Sequence, residues 1–64
     1  MKLGILGGGQ LGMMMCQAAK SIDISTIIYS DSLDSPAINF SDSHFIDKYD
    51  NFLKIEEFVN ECDV

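Results

Sequence analysis

Basic residues are scarce in this 64-residue sequence, four against ten acidic ones, for a formal charge of −6 at pH 7. That balance repels phosphate backbones and, with no basic patch, argues against nucleic acid as a partner. Cysteine occurs twice and histidine once. Cys16 and Cys62 stand far apart, with no Cys-x-x-Cys spacing, and His44 has no second ligand near it in sequence, so neither a zinc site nor a redox motif is supported. No metal ligand is therefore assigned, and the two cysteines read as free thiols of a reducing cytoplasm. No stretch approaches the roughly eighteen consecutive apolar residues of a membrane helix, so no membrane partner is expected. The apolar run behind Lys2 has the outline of an export signal, but Gly7-Gly8-Gly9-Gln10 interrupts it, and Met15 is too large for the position before a cleavage site. A Ser-His-Asp set, a P-loop lysine and a pair of catalytic carboxylates are also missing, so no catalytic residue is assigned.

What is present is the composition of a folded core, 47% hydrophobic and 22% charged. Lys2 to Leu6 is a short apolar run bounded by glycine, which predicts a buried parallel strand. Leu11, Met14, Met15, Ala18, Ala19 and Ile22 recur at helical spacing and predict a helix with that stripe toward the core. Ile24 to Tyr29 is β-branched and aromatic, a second strand. Ser30 to Pro36 is a turn, with Pro36 opening a short helical turn through Ala37 and Phe40. His44-Phe45-Ile46 predicts a brief third strand. Asp50 or Asn51 then caps a helix whose apolar face is Phe52, Ile55, Val59 and Cys62. Alternation of this kind predicts an α/β fold, Rossmann-like and three-layered, with a parallel sheet and right-handed crossovers. Cys62-Asp63-Val64 reads as a helix exit and the first step of a new strand, so the domain is expected to be truncated before its fourth strand. A domain this short buries only about 60% of the surface that its unfolded chain exposes, which predicts marginal independent stability.

One constellation carries chemistry. Gly7-Gly8-Gly9-Gln10-Leu11-Gly12 fits G-x-G-x-x-G between a predicted strand and a predicted helix. There Gly7 permits the tight turn, Gly9 admits a ligand close to the backbone, and Gly12 lets the helix pack on the strand. Amides at the helix start would face that ligand with the positive end of the helix dipole. A dinucleotide site also expects an acid at the end of the second strand to hold ribose hydroxyls, and Asp31, after Ser30, is near that place. An NAD(P)-binding module of a dehydrogenase or of a regulatory gating domain is therefore the alternative function, and a small stand-alone interaction domain is a third. His44 reads as a strand-edge residue, and Asp42, Asp47, Asp50, Glu56, Glu57 and Glu61 as a solvated acidic surface.

Lys2 to Gly12, Ala18-Ala19-Lys20, Asp34-Ser35-Pro36-Ala37, His44, Tyr49-Asp50 and Cys62-Asp63-Val64 together resemble the opening of the 5-(carboxyamino)imidazole ribonucleotide synthases, along the whole chain. Gly-Gly-Gly-Gln-Leu-Gly joined to a downstream Asp-Ser-Pro-Ala is far more specific than the glycine pattern alone. The resemblance implies a three-domain ATP-grasp ligase of purine biosynthesis, with residues 1–64 the N-terminal part of its Rossmann-like pre-ATP-grasp domain and the ATP-grasp domains absent from this chain. It implies that ATP, Mg²⁺ and bicarbonate form a carboxyphosphate, that the exocyclic amine of aminoimidazole ribonucleotide takes the carboxyl group, and that ATP and Mg²⁺ bind outside this segment. A homodimer is implied as well. By the same resemblance Gly8, Gly9, Gln10 and Leu11 border the ribonucleotide, with Gly7 and Gly12 structural. Two positions depart from the family pattern: Met13 stands where many relatives carry a basic residue, and Ser30-Asp31 stands where many carry Asp-Pro.

Overall fold

The computed structural model describes residues 1–64. Strand β1 (Lys2–Leu6) leads into helix α1 (Gln10–Lys20). Strand β2 (Ser25–Ser30), a 3₁₀ turn (Pro36–Phe40), strand β3 (Ser43–Ile46) and helix α2 (Phe52–Glu61) follow. The three strands form one parallel sheet in the order β1-β2-β3, with Ile5 opposite Ile28 and Tyr29 opposite Phe45. β2 is central, and all of its residues from Thr26 to Ser30 are buried, as expected of a parallel strand covered on both faces.

Alternation along β2 builds two small cores. Ile28 points to the side of α1 and the 3₁₀ turn, where it packs with Ile5, Cys16 and Ala37. Ile27 and Tyr29 point to the other side and pack with Phe58 of α2. The result is the expected three-layer α/β arrangement. After α2 the chain returns to the outer edge of β1. The Val64 amide donates to the Lys2 carbonyl and the Gly4 amide donates to the Val64 carbonyl at 2.7 Å, which lays Val64 beside Leu3 in the manner of a parallel strand. The Asp63 carboxylate accepts from the Lys2 amide at 2.7 Å. The last two residues thus lie along the free edge of β1, while the sheet itself has three strands.

The buried faces of both helices differ from those the periodicity predicts. On α1, Gly12, Cys16 and Ala19 are buried, with Met13 packed against them, whereas Leu11 and Met14 are 72% and 54% exposed and Met15 and Ile22 are also exposed. The reason is close approach. Small residues at i, i+4 and i+7 let the helix lie against the sheet, and a Cβ on Gly12 would stand 2.6 Å from the Gly7 carbonyl oxygen. The methionines are left at the margin, where Met15, Ala18 and Ile22 line a shallow apolar groove with Leu3 and Ile24. On α2 the buried residue is Phe58, flanked by Ile55 and Cys62, while Phe52 and Val59 are 77% and 55% exposed. Phe58 wins because its ring meets Tyr29 and Phe45 edge-on, at centroid distances of 5.5 and 5.9 Å.

Local boundaries have local causes. Asn51, rather than Asp50, caps α2, its side-chain oxygen accepting from the Lys54 amide at 3.2 Å. β2 starts one residue later than its sequence predicts. The Ile24 amide is drawn into the end of α1, donating to the Ala19 carbonyl at 2.9 Å, and Asp23 before it adopts the left-handed φ of 59° common after a helix. Pro36 occupies the first turn of its 3₁₀ helix, and His44 lies exposed on edge strand β3.

Candidate functional site

At the carboxyl ends of the parallel strands, the side on which open α/β sheets bind ligands, the chain passes from β1 to α1. The segment standing there is the glycine loop, between Leu6 and Gln10. Gly7 takes φ +117°, a backbone that only glycine adopts freely, and its amide donates to the Tyr29 carbonyl at 2.8 Å. This turn aims the chain back over the sheet into α1. Gly12 faces the Gly7 carbonyl, so the first and last glycines of the motif fix the loop against its own helix.

Gly8 and Gly9 play different parts. Gly8 is buried, and a Cβ there would run into the Cβ of Ser35 and stand 2.8 and 2.9 Å from the hydroxyls of Ser35 and Ser30. Its carbonyl accepts from the Ala37 amide at 3.0 Å. Gly9 is exposed, in an extended conformation with φ −74° and ψ −167°, and a Cβ there would meet nothing within 4 Å. It is the N-cap of α1, and no side chain caps that helix; the amides of Gly9, Gln10 and Leu11 bond to no oxygen of the protein, and the first turn carries no acid. Gln10 and Leu11 are exposed. Of the four residues expected on the substrate side, the structure brings Gly9, Gln10 and Leu11 together on an open surface and turns Gly8 inward.

Charge around the loop is sparse. Met13, half-buried, packs against the first core. Lys2 and Lys20 lie at the opposite ends of β1 and α1 from the loop. No three His, Cys, Asp or Glu side chains come together in a way that could hold a metal ion. Burial raises the thiol pKa of Cys62, helped by the carboxylates of Glu61 and Asp63, and this thiol donates to the Phe58 carbonyl on the far side of the sheet. Asp31 is exposed at the end of β2, where a dinucleotide fold would place its ribose acid, but Ser30 before it is 1% exposed and its hydroxyl is committed to the turn that follows. Sequence reasoning missed this serine turn as a partner of the glycine loop. The available signal was Gly8 itself, a glycine that neither the turn nor the helix packing requires.

A glycine turn at the carboxyl edge of a parallel three-layer sheet, with free helix amides beside an open glycine, defines a Rossmann-like α/β module. The family model for the ribonucleotide synthetase pre-ATP-grasp domain matches residues 1–64, and the chain belongs to that family. A chloroplastic phosphoribosylaminoimidazole carboxylase from Vigna aconitifolia is 42% identical over 62 residues, which are 97% of this chain and 11% of the relative. Among solved structures, the N5-carboxyaminoimidazole synthetase of Staphylococcus aureus complexed with ADP superposes with a TM-score of 0.94 at 32% identity, covering 97% of this chain and 17% of that one. The N5-carboxyaminoimidazole ribonucleotide synthetase of Thermotoga maritima does so with a TM-score of 0.93 at 36% identity, covering 98% and 18%. The chain thus spans a small fraction of the length of the proteins it matches. These relatives do not favour the dinucleotide alternative, nor does the inward-turned Ser30.

Proposed function

We propose that this chain is the N-terminal, substrate-side part of an ATP-dependent carbon–nitrogen ligase. That enzyme carboxylates 5-aminoimidazole ribonucleotide with bicarbonate to N5-carboxyaminoimidazole ribonucleotide in purine biosynthesis. The names of the relatives support the reaction, and the ADP bound to the Staphylococcus aureus protein supports the use of ATP. In this reading residues 1–64 belong to a pre-ATP-grasp domain, ATP and Mg²⁺ are held by other domains, and the working enzyme is a cytoplasmic homodimer. Two free thiols suit a reducing compartment, and no helix is long and apolar enough to cross a membrane.

The observation that carries the reading is the open surface of Gly9, Gln10 and Leu11 at the carboxyl end of β1. Uncapped amides there suit an anionic or hydrogen-bonding group such as a ribonucleotide presents. In the full-length ligase, Gly9→Val fills the open space without backbone strain, because φ at Gly9 is ordinary. The Michaelis constant for aminoimidazole ribonucleotide is expected to rise, with bicarbonate-dependent ATP cleavage in its absence little changed. Gln10→Ala acts the same way more mildly, about two- to tenfold for one neutral hydrogen bond. Steady-state kinetics with each substrate varied separately decides the matter. A rise in the constant for ATP alone would overturn this division of labour.

A further inference from the structure

The turn after β2 closes a ring of hydrogen bonds under the glycine loop. The Ser32 amide donates to the Ser30 hydroxyl at 3.3 Å, and the Ser30 and Ser35 hydroxyls are bonded to each other. The Ser35 hydroxyl donates to the Ser32 carbonyl at 2.8 Å. The Ser30 hydroxyl also lies 3.3 Å from the Ser32 carbonyl, so whichever serine donates to the other, the second can donate to that carbonyl and both hydroxyl protons are used within the turn. No buried side-chain oxygen is left without a partner. Gly8 rests on this ring so closely that no Cβ fits between them, and the Ala37 amide, two residues past Ser35, holds the Gly8 carbonyl.

We infer that Ser30 and Ser35 are positioning residues for the ligand loop: their hydroxyl pair sets the seat of Gly8 and, through it, the placement of Gly9 and Gln10. The inference rests on the ribonucleotide reading of that loop. It also assigns the end of β2 a role unlike the one it has in dinucleotide folds. There the position reads ribose hydroxyls directly, whereas Ser30 faces inward with its donor and acceptor already used. The loop's geometry therefore depends on two neutral hydroxyls that never touch substrate.

The test compares Ser30→Thr with Ser30→Val in the full-length ligase. The two variants have nearly the same shape and add the same bulk to a buried site, but only threonine keeps the hydroxyl. Ser30→Val is expected to raise the Michaelis constant for aminoimidazole ribonucleotide about two- to tenfold, the worth of one neutral hydrogen bond. The constant for ATP and the turnover number at saturation stay put, and Ser30→Thr restores the ribonucleotide constant. A purely structural role would instead lower turnover through loss of folded enzyme, with no change in the ribonucleotide constant. That result, or equal behaviour of the two variants, overturns the inference. Gly9→Val separates the two levels: if it raises the ribonucleotide constant while Ser30→Val does not, the site stands and the serine ring fails. If neither raises it, the site reading and the inference fall together.

Discussion

Gly7, Gly9 and Gly12 belong to one motif, yet alanine should affect them in three ways. At Gly7 the surroundings are empty but φ is +117°, so the penalty is purely conformational, about 1–2 kcal/mol for an L residue in a left-handed backbone. At Gly12 the backbone is helical and the obstacle is the Gly7 carbonyl, which cannot swing away as a side chain would. Overpacking of that kind costs about 1–3 kcal/mol. At Gly9 both backbone and space are permissive, and Gly9→Ala should change stability by less than about 0.5 kcal/mol. Urea denaturation midpoints of the three variants measure this directly. A large loss at Gly9 would show that the loop is more crowded than its open geometry implies.

Helix α2 owes its position to Phe58 and its start to Asn51. It has no acid in its first turn, and its one ion pair, Lys54 with Glu57 at 3.4 Å, is exposed and contributes little. Asn51→Ala should therefore cost about 1 kcal/mol, the usual worth of an N-cap, visible as a lower denaturation midpoint. Just ahead of the cap, the Lys48 amide donates to the Asp47 carboxylate at 2.7 Å. That bond, with the Asn51 side chain beside it, holds the Asp47 carboxyl below the usual aspartate range. Because the folded pKa is the lower one, the unfolded chain binds more protons in the window between the two values, and stability rises with pH through it. The contribution is complete above the unfolded aspartate value of about 3.9 and is lost as pH falls through the folded one. The stability difference between the native protein and Asp47→Asn should accordingly be largest above about pH 4 and shrink in stronger acid. A difference independent of pH would assign Asp47 no electrostatic role.

As a whole the molecule is thinly cored. Only 12 of 64 residues are buried, seven of them in clusters of four and three apolar side chains on opposite faces of the sheet. Leu6, Leu11, Phe52, Leu53 and Val59 are largely exposed, and Leu6 and Val59 line a groove of about 270 Å³ with Gly4, Phe58, Cys62 and Val64. Two such small cores offer little free energy against the chain entropy of 64 residues. The 64-residue chain by itself should melt broadly and at low temperature, followed by circular dichroism. A sharp transition with a high midpoint would mean that the two cores act as one cooperative unit.

The order of elements was legible because it rests on local causes: β-branched runs, Pro36 at a first turn, glycines directly after β1, and a polar cap before α2. The glycine motif was legible for the same reason, since the strand and helix around it are written on either side. Which helix face is buried was not. The apolar residues of α1 wrap more than half its circumference, so spacing alone favours the bulky stripe of Leu11, Met14 and Ile22. Contact with the sheet favours the smallest residues, Gly12, Cys16 and Ala19, because only they let the two backbones approach. Phe58 prevails over Val59 on α2 through Tyr29 and Phe45, residues of other strands. The division of the loop into an inward Gly8 and an open Gly9 likewise depends on Ser30 and Ser35, more than twenty residues away in sequence. Local propensity determined what the pieces of this protein are. Only long-range packing, which one-dimensional spacing does not encode, decided which of their faces meet and which one is left open to a ligand.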